Sequence, residues 1–357
     1  MLTRRQFIER TSLAAGAALL APLAGMGTTR KLRLAAIGTQ NRAWANISGL
    51  SDHDFVALCD VDAGFLERTA SQFPGAKTFK DFRVLLDTVE GLDAVVVSTP
   101  DHLHAPVASM ALRRGLHVYC EKPLTHTVAE ARRLASLSKG LVTQMGTQIH
   151  AGSNYRRVVE LVQSGAIGPV REVHVWCNKS WSDGRFGPAS SAPASLDWDL
   201  WLGPAPLRPY SEGVHPANWR RFWEYGTGTL GDMGCHYIDL VYWALDLDHP
   251  VHVRAEGPPP HEVGTPAWCV VTYEFPARGA RAPVRMTWYD GPNRRPSQLQ
   301  GLKHADGSDL SWGDGHLFIG DDGMILSDYG RHHVIRDGRV VPHDVPPRTI
   351  PDSIGHH

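Results

Sequence analysis

The chain has no CxxC pair, and its five cysteines, Cys59, Cys120, Cys177, Cys235 and Cys269, lie far apart in an odd total. That excludes a disulfide framework and a cysteine-built zinc site, and leaves the thiols as small buried apolar groups. Net charge is also missing: 36 Lys and Arg against 37 Asp and Glu give −1. With the basic residues scattered and no basic stripe, recognition of a nucleic-acid backbone is excluded and a small-molecule partner is expected. Nineteen histidines are many, yet none fall in HxxxH or HExxH spacing, so no metal is expected. No apolar run is long enough to remain as a membrane span.

What is present is length and apolar content. A chain of 357 residues, 42% of them hydrophobic, exceeds the size at which one core stops growing, and two domains are expected. Before them stands Thr3-Arg4-Arg5-Gln6-Phe7, followed by an apolar run from Leu13 to Leu23. Paired arginines ahead of a short Ala, Gly and Leu stretch are the order of a twin-arginine signal, assigned to residues 1–29. The expected location is periplasmic. That route carries folded proteins, so a cofactor loaded before export would have to be held tightly and recycled in place.

From Leu32 the pattern alternates. Apolar runs at Leu32–Ile37, Phe55–Cys59, Ala94–Val97, Leu116–Cys120 and Val142–Met145 read as buried parallel strands. Helical stretches to about Leu50, over Ala63–Phe73, about Ala105–Arg114 and Val128–Leu137 separate them. This predicts a Rossmann-type doubly wound sheet over residues 30–150. Beyond it, a helix over Tyr155–Ser164 and strands at Val170–Asn178, Val251–Glu256, Trp268–Phe275, Val284–Tyr289 and Leu317–Ile319 predict an α+β domain over 151–357 with a mostly antiparallel sheet. The long Pro-, Ser- and Trp-containing segment Gly184–Pro216 reads as a functional or lid-like loop.

Strand, Gly38, helix, then Asp60 at the end of the next strand follow dinucleotide logic, in which backbone amides meet a pyrophosphate and a carboxylate meets ribose hydroxyls. NAD is expected over NADP. The glycine loop itself is eroded to Gly38-Thr39-Gln40-Asn41-Arg42-Ala43. Gln40 stands where a side chain would crowd the pyrophosphate, and Arg42 could face either a phosphate or solvent. Further on, Gly226–Leu245 places Asp232 and His236 four apart at the start of a helix, hence on one side of it. Asn218-Trp219-Arg220, Trp198 and Trp201 offer stacking faces and a charge of the kind sugars use.

Thr99-Pro100-Asp101-His102-Leu103-His104 and Glu121-Lys122-Pro123, the latter directly after a parallel strand, resemble the Gfo/Idh/MocA family of oxidoreductases. The resemblance implies a cofactor site formed by Gly38, Thr39, Gln40, Asn41, Arg42, Asp60, Ser98, Thr99, Pro100, His104, Glu121, Lys122 and Gln148, with a cis bond before Pro123. It also implies that Lys122, Asp232 and His236 meet the substrate together with Trp219 and Arg220, His236 serving as acid/base. His150 is a weaker candidate. The family usually closes with helices that return to the first domain. This sequence stops at Asp352–His357 without them, so a truncated chain with exposed apolar surface is expected.

Three functions follow from that resemblance. The first is an NAD-dependent oxidoreductase acting on the CH–OH of a sugar or cyclitol with a tightly held cofactor. The second is an NAD-dependent glycosidase or lyase working by transient oxidation. The third is a carbohydrate-binding protein without catalysis. Self-association through the antiparallel sheet is also expected.

Overall fold

The computed structural model describes residues 30–259, 261–279 and 281–357; the twin-arginine segment lies outside them. Six short strands form the first sheet: β1 (Arg33–Ile37), β2 (Asp54–Cys59), β3 (Lys77–Phe79), β4 (Ala94–Val97), β5 (His117–Glu121) and β6 (Thr143–Gly146). They pair in parallel in the order β3-β2-β1-β4-β5-β6. Helices α1 (Arg42–Gly49), α2 (Ala63–Ala70), α3 (Phe82–Thr88), α4 (Asp101–Arg113) and α5 (Val128–Leu137) connect them. Ala35, Ala57, Val95, Val97 and Leu85 bury one face of the sheet, and Leu34, Ala36, Leu58 and Val96 the other. A sheet buried on both faces is what uninterrupted Val, Ala and Leu strands require.

Two expectations change. β3 and α3 were not foreseen because each is too short to show a period. α4 begins at Asp101, four residues before the expected Ala105, because Pro100 takes an extended conformation as its N-cap (φ −60, ψ 155) and Asp101 opens the first turn.

The second domain opens with α6 (Ser153–Gln163) and β7 (Val170–Cys177), then α7 (Trp198–Leu202), α8 (Gly228–Leu245), β8 (His252–Glu256), β9 (Cys269–Phe275), β10 (Val284–Asp290), β11 (Gly315–Gly320), β12 (Gly323–Ser327), β13 (His332–Arg336) and β14 (Arg339–Val341). The eight strands lie in the order β14-β13-β12-β11-β7-β10-β9-β8. All pairs are antiparallel except β7 with β10. α6 and α8 cover one face of this sheet through Tyr155, Val158, Val159, Leu161, Tyr237, Leu240 and Val241, packed on Val173, Val175, Met286, Trp288 and Phe318.

The expected loop, Gly184–Pro216, is irregular apart from α7, and together with the residues up to Tyr225 it forms a core of Trp201, Tyr210, Val214, Trp219, Phe222 and Tyr225. This strap, residues 181–225, lies on the first domain. Ala63 N–H donates to the Ser195 carbonyl (2.8 Å) and Asp197 N–H to the Val61 carbonyl (2.9 Å). The His102 ring contacts the Trp201 carbonyl through Nε2 (3.0 Å). Residues 342–357 pack as an extended segment: the Thr349 and Ile350 N–H groups donate to Glu160 Oε1 (2.7 and 2.8 Å). Further along, the His356 imidazole meets the Tyr119 hydroxyl at 2.7 Å.

Candidate active site

One cleft of about 790 Å³ runs between the carboxyl ends of the first sheet, the strap and the amino end of α8, the place where a doubly wound sheet binds its ligand. Gly38 turns the chain at its floor with φ +88, and a Cβ there would stand 2.4 Å from the Ser98 carbonyl oxygen. Only glycine permits that approach. Gln40, expected to crowd the loop, instead reaches back to α2: its Nε2 donates to Thr69 Oγ1 (2.7 Å), whose hydroxyl donates to the Thr39 carbonyl (3.0 Å).

Asp60 differs from expectation in a related way. Its Oδ2 accepts both Thr39 N–H (2.9 Å) and Thr39 Oγ1–H (2.8 Å), and its Oδ1 accepts Asp62 N–H (3.0 Å). Burial raises its pKa against those hydrogen bonds. Asp60 therefore shapes the glycine loop while lining the cleft, and one of the loop amides expected for a pyrophosphate is spent on it.

At the other end β5 delivers Glu121 and Lys122. Glu121 Oε1 accepts from Arg42 Nε (2.8 Å) and from Asn46 Nδ2 (2.9 Å). Burial favours the neutral carboxyl, but these hydrogen bonds and the guanidinium outweigh it and hold the pKa below the usual carboxylate value. Arg42 is thus committed to Glu121 rather than to solvent. Asn46 also donates to Ser98 Oγ (3.0 Å). It escaped the sequence reading, although a polar residue among Ala43 and Ile47 on the buried face of α1 is the available signal.

The Lys122–Pro123 peptide is cis. Lys122 Nζ donates to Asp232 Oδ1 at 2.6 Å and to the Asp232 carbonyl at 2.8 Å. Arg220 Nε reaches the same Oδ1 at 2.9 Å. Burial pushes Asp232 toward neutrality, and the two cations reverse it, so its pKa is lowered. One turn along α8, His236 is 6% exposed. Burial first, then the Lys122 charge, pushes its pKa down to about 4, leaving a neutral imidazole whose Nδ1 has no partner.

Three proposed contacts lie elsewhere. His104 does not line the cleft; it is buried beneath it, with Nδ1 2.6 Å from the Pro123 carbonyl and Nε2 2.8 Å from the Thr99 carbonyl. It braces the Glu121-Lys122-Pro123 turn and is corrected to a structural role. Trp198 packs in the strap core, stacked on Trp201 at 4.6 Å between ring centroids. His150 stacks on Trp243 at 4.1 Å and pairs with Asp239 at 2.8 Å, away from the cleft. Thr39, Asn41, Ser98, Thr99, Pro100, Gln148, Trp201, Trp219 and Arg220 all line it. So does Asp101, which the sequence reading passed over. It is buried, with its Oδ2 accepting from the Thr227 hydroxyl at 3.1 Å, and burial pushes its pKa up to about 7.

Six cleft atoms are buried without a hydrogen-bond partner: Arg42 Nη2, Thr99 Oγ1, Gln148 Oε1, both ring nitrogens of His215 and His236 Nδ1. Buried polar atoms rarely stay unpaired, so together with the close Gly38 turn they fit a polar, elongated ligand such as a dinucleotide with a substrate beside it.

A doubly wound sheet whose rim meets a buried Lys–Asp pair and a neutral imidazole defines a nucleotide-binding oxidoreductase class. The chain belongs to the Gfo/Idh/MocA oxidoreductases. Residues 23–147 match that family's "Oxidoreductase family, NAD-binding Rossmann fold" and residues 152–282 its "Oxidoreductase family, C-terminal alpha/beta domain". Among curated relatives, an inositol 2-dehydrogenase of Leifsonia xyli is 39% identical over 124 residues, 33% of this chain and 36% of that protein. A glycosyl hydrolase family 109 protein of Stenotrophomonas maltophilia is 33% identical over 242 residues, 61% of this chain and 48% of that protein. The chain spans about half or less of the length of these two relatives. Solved structures share the fold: an oxidoreductase of Thermotoga maritima superposes with a TM-score of 0.60 at 19% identity, covering 88% and 84% of the two chains. An NAD-binding protein of Listeria innocua gives 0.59 at 17% identity, covering 86% and 74%. No helix among the described residues is long and apolar enough to cross a membrane.

Proposed function

We propose that the protein oxidises or reduces a CH–OH carbon of a sugar or cyclitol with NAD that it keeps through the catalytic cycle. The observation that carries this reading is the ion pair of Lys122 with Asp232 at 2.6 Å beside the unpartnered, neutral His236. The cofactor, when bound, supplies the hydride acceptor or donor. Everything else falls to the chain. A lysine held as an ammonium by a carboxylate donates to the substrate oxygen and stabilises the charge that develops there. A neutral imidazole accepts the hydroxyl proton during oxidation and returns it during reduction. Asp232 orients Lys122, and Trp219 offers a stacking face. Arg42, Thr99 and Gln148 supply polar contacts to the cofactor, with Asp60 favouring NAD over NADP through the ribose.

The strap supports the retention reading: it is bonded to the first domain through Ser195, Asp197 and Trp201 beside the cleft. Retention suits a protein exported already folded, the route that the twin-arginine order at Arg4-Arg5 suggests, to a periplasm with no nicotinamide pool. A second reading, favoured by the 33% identity to a glycosyl hydrolase family 109 protein, is hydrolysis of a glycoside by transient oxidation at the same Lys122 and His236.

Acid release of nucleotide from the purified full-length protein, identified by mass spectrometry, tests both readings at the first step. Stoichiometric NAD supports them, and a protein that neither carries nor binds NAD sinks them. With NAD present, a stoichiometric redox product identifies the oxidoreductase, and free sugar released without net redox identifies the hydrolase.

A further inference from the structure

Arg220 carries more cation than its surroundings use. Gly226 makes its position possible, since a Cβ there would lie 2.6 Å from the Arg220 Cα. The guanidinium lies over the rings of Trp219 and Trp181, its carbon 4.2 and 5.3 Å from their centroids. Nε is committed to Asp232 Oδ1 and Nη1 donates to the Ala217 carbonyl at 3.2 Å. Nη2 has no hydrogen bond to any described residue and is not shut away from the cleft, which Arg220 lines. A planar, oriented guanidinium with an uncommitted edge is the group that reads carboxylates.

We propose, on the footing of the sugar chemistry above, that the substrate is an acidic sugar, a uronate or a glycoside of one, whose carboxylate docks on the free edge of Arg220. The charges around the site call for such an anion. Lys122 and Arg220 share a single carboxylate oxygen, Asp232 Oδ1. The second carboxyl in reach, Asp101, pairs with neither cation; its one hydrogen bond comes from a neutral hydroxyl, Thr227. The groups facing Asp101 are Lys122 and Cys120 from β5, Asp232 and Cys235 from α8, and Arg220 from the strap. The two cations and the Thr227 hydroxyl favour its ionised form, while burial and Asp232 oppose it, and burial wins. With Asp101 protonated, two partly buried cations face one carboxylate, and a partly desolvated cation without a counter-charge is disfavoured. A neutral sugar leaves that charge uncompensated; a sugar carboxylate supplies it.

The sign with pH follows. Asp101 titrates near neutrality, so below pH 7 it is protonated and the cluster holds one excess positive charge. Above pH 7 it ionises, the cluster becomes neutral and the preference for an anion weakens. Binding a uronate at neutral pH therefore takes up a proton.

The experiment is calorimetric titration of the NAD-loaded full-length protein at pH 6 and pH 8. The ligands are matched pairs: methyl glucuronide against methyl glucoside, and the galacto and manno equivalents. At least one uronide is expected to bind about tenfold or more tightly than its neutral partner at pH 6, about 1.4 kcal/mol, with the advantage shrinking at pH 8. Asp101→Asn is expected to preserve the advantage at pH 8, and Arg220→Gln to abolish it at pH 6. The wild-type comparison stands even if a variant fails to fold. Neutral glycosides that bind as well as or better than their uronides at both pH values overturn the acidic-sugar inference. If those glycosides also yield reduced nicotinamide or free sugar, the general sugar chemistry survives; if no sugar of either kind binds, both fall.

Discussion

Lys122 Nζ donates to both the carboxylate and the carbonyl of Asp232, and this donor role separates it from His236. Lys122→Ala should lower kcat by a factor on the order of 10² to 10⁴ while bound NAD is retained, as seen by steady-state rates alongside nucleotide release. A variant that turns over normally would remove Lys122 from the reaction. His236 gives the complementary test. With its pKa pushed down to about 4, it is neutral and able to accept a proton across the physiological range, and kcat/KM for oxidation should fall only as pH drops toward 4. Lys122→Ala removes one of the charges that depress it, so the residual acid limb should move upward. A wild-type limb near 6.5 would mean that His236 is not the base. The spacing in the chain put Asp232 and His236 on one side of a helix and Lys122 directly after a strand, and the family resemblance carried by Glu121-Lys122-Pro123 pointed to the three as a site. Neither could show which way Gln40 turns, or that His104 lies under the turn, since both depend on what α2 and Pro123 place against them.

Among the elements, those that were legible are the ones with a long period. The strands of the first sheet and its longer helices stand out as apolar runs and amphipathic stretches. β3 and α3 span too few residues to show either pattern, and β12 to β14 are short hairpin strands broken by Gly and His. The strap is irregular apart from α7, as a loop reading expects, but its packed core was not legible because its order comes from tertiary packing of Trp and Tyr residues rather than from a period. It is also the element on which the proposal of cofactor retention rests. Trp201 is 2% exposed and lines the cleft. Trp201→Ala should cost about 3–5 kcal/mol and release nucleotide during gel filtration. Trp288→Ala, in the core of the second sheet, should destabilise comparably yet leave the nucleotide bound. Equal retention in both variants would show that the strap does not hold the cofactor.

At the scale of the whole molecule, buried histidines set how the fold meets acid. Burial pushes His102, His236 and His316 down to about 4, and His104 in the same direction. In an unfolded chain each would titrate near 6.5. Between those values the unfolded state binds more protons at these sites, so stability that is complete above 6.5 is lost as pH falls toward 4. Asp101, pushed up to about 7, works the other way, gaining a proton in the folded state over the same window, and Asp60, also raised by burial, acts in the same sense. The histidines outnumber them, and the net slope should be a fall. Melting temperature measured from pH 7.5 to 4.5 should decrease steadily as the pH is lowered. Asp101→Asn should steepen that decrease, because it removes one of the two groups opposing it. A melting temperature that holds or rises down to pH 4.5 would mean that the histidines are not buried neutral, and with them would go the assignment of His236 as a ready proton acceptor.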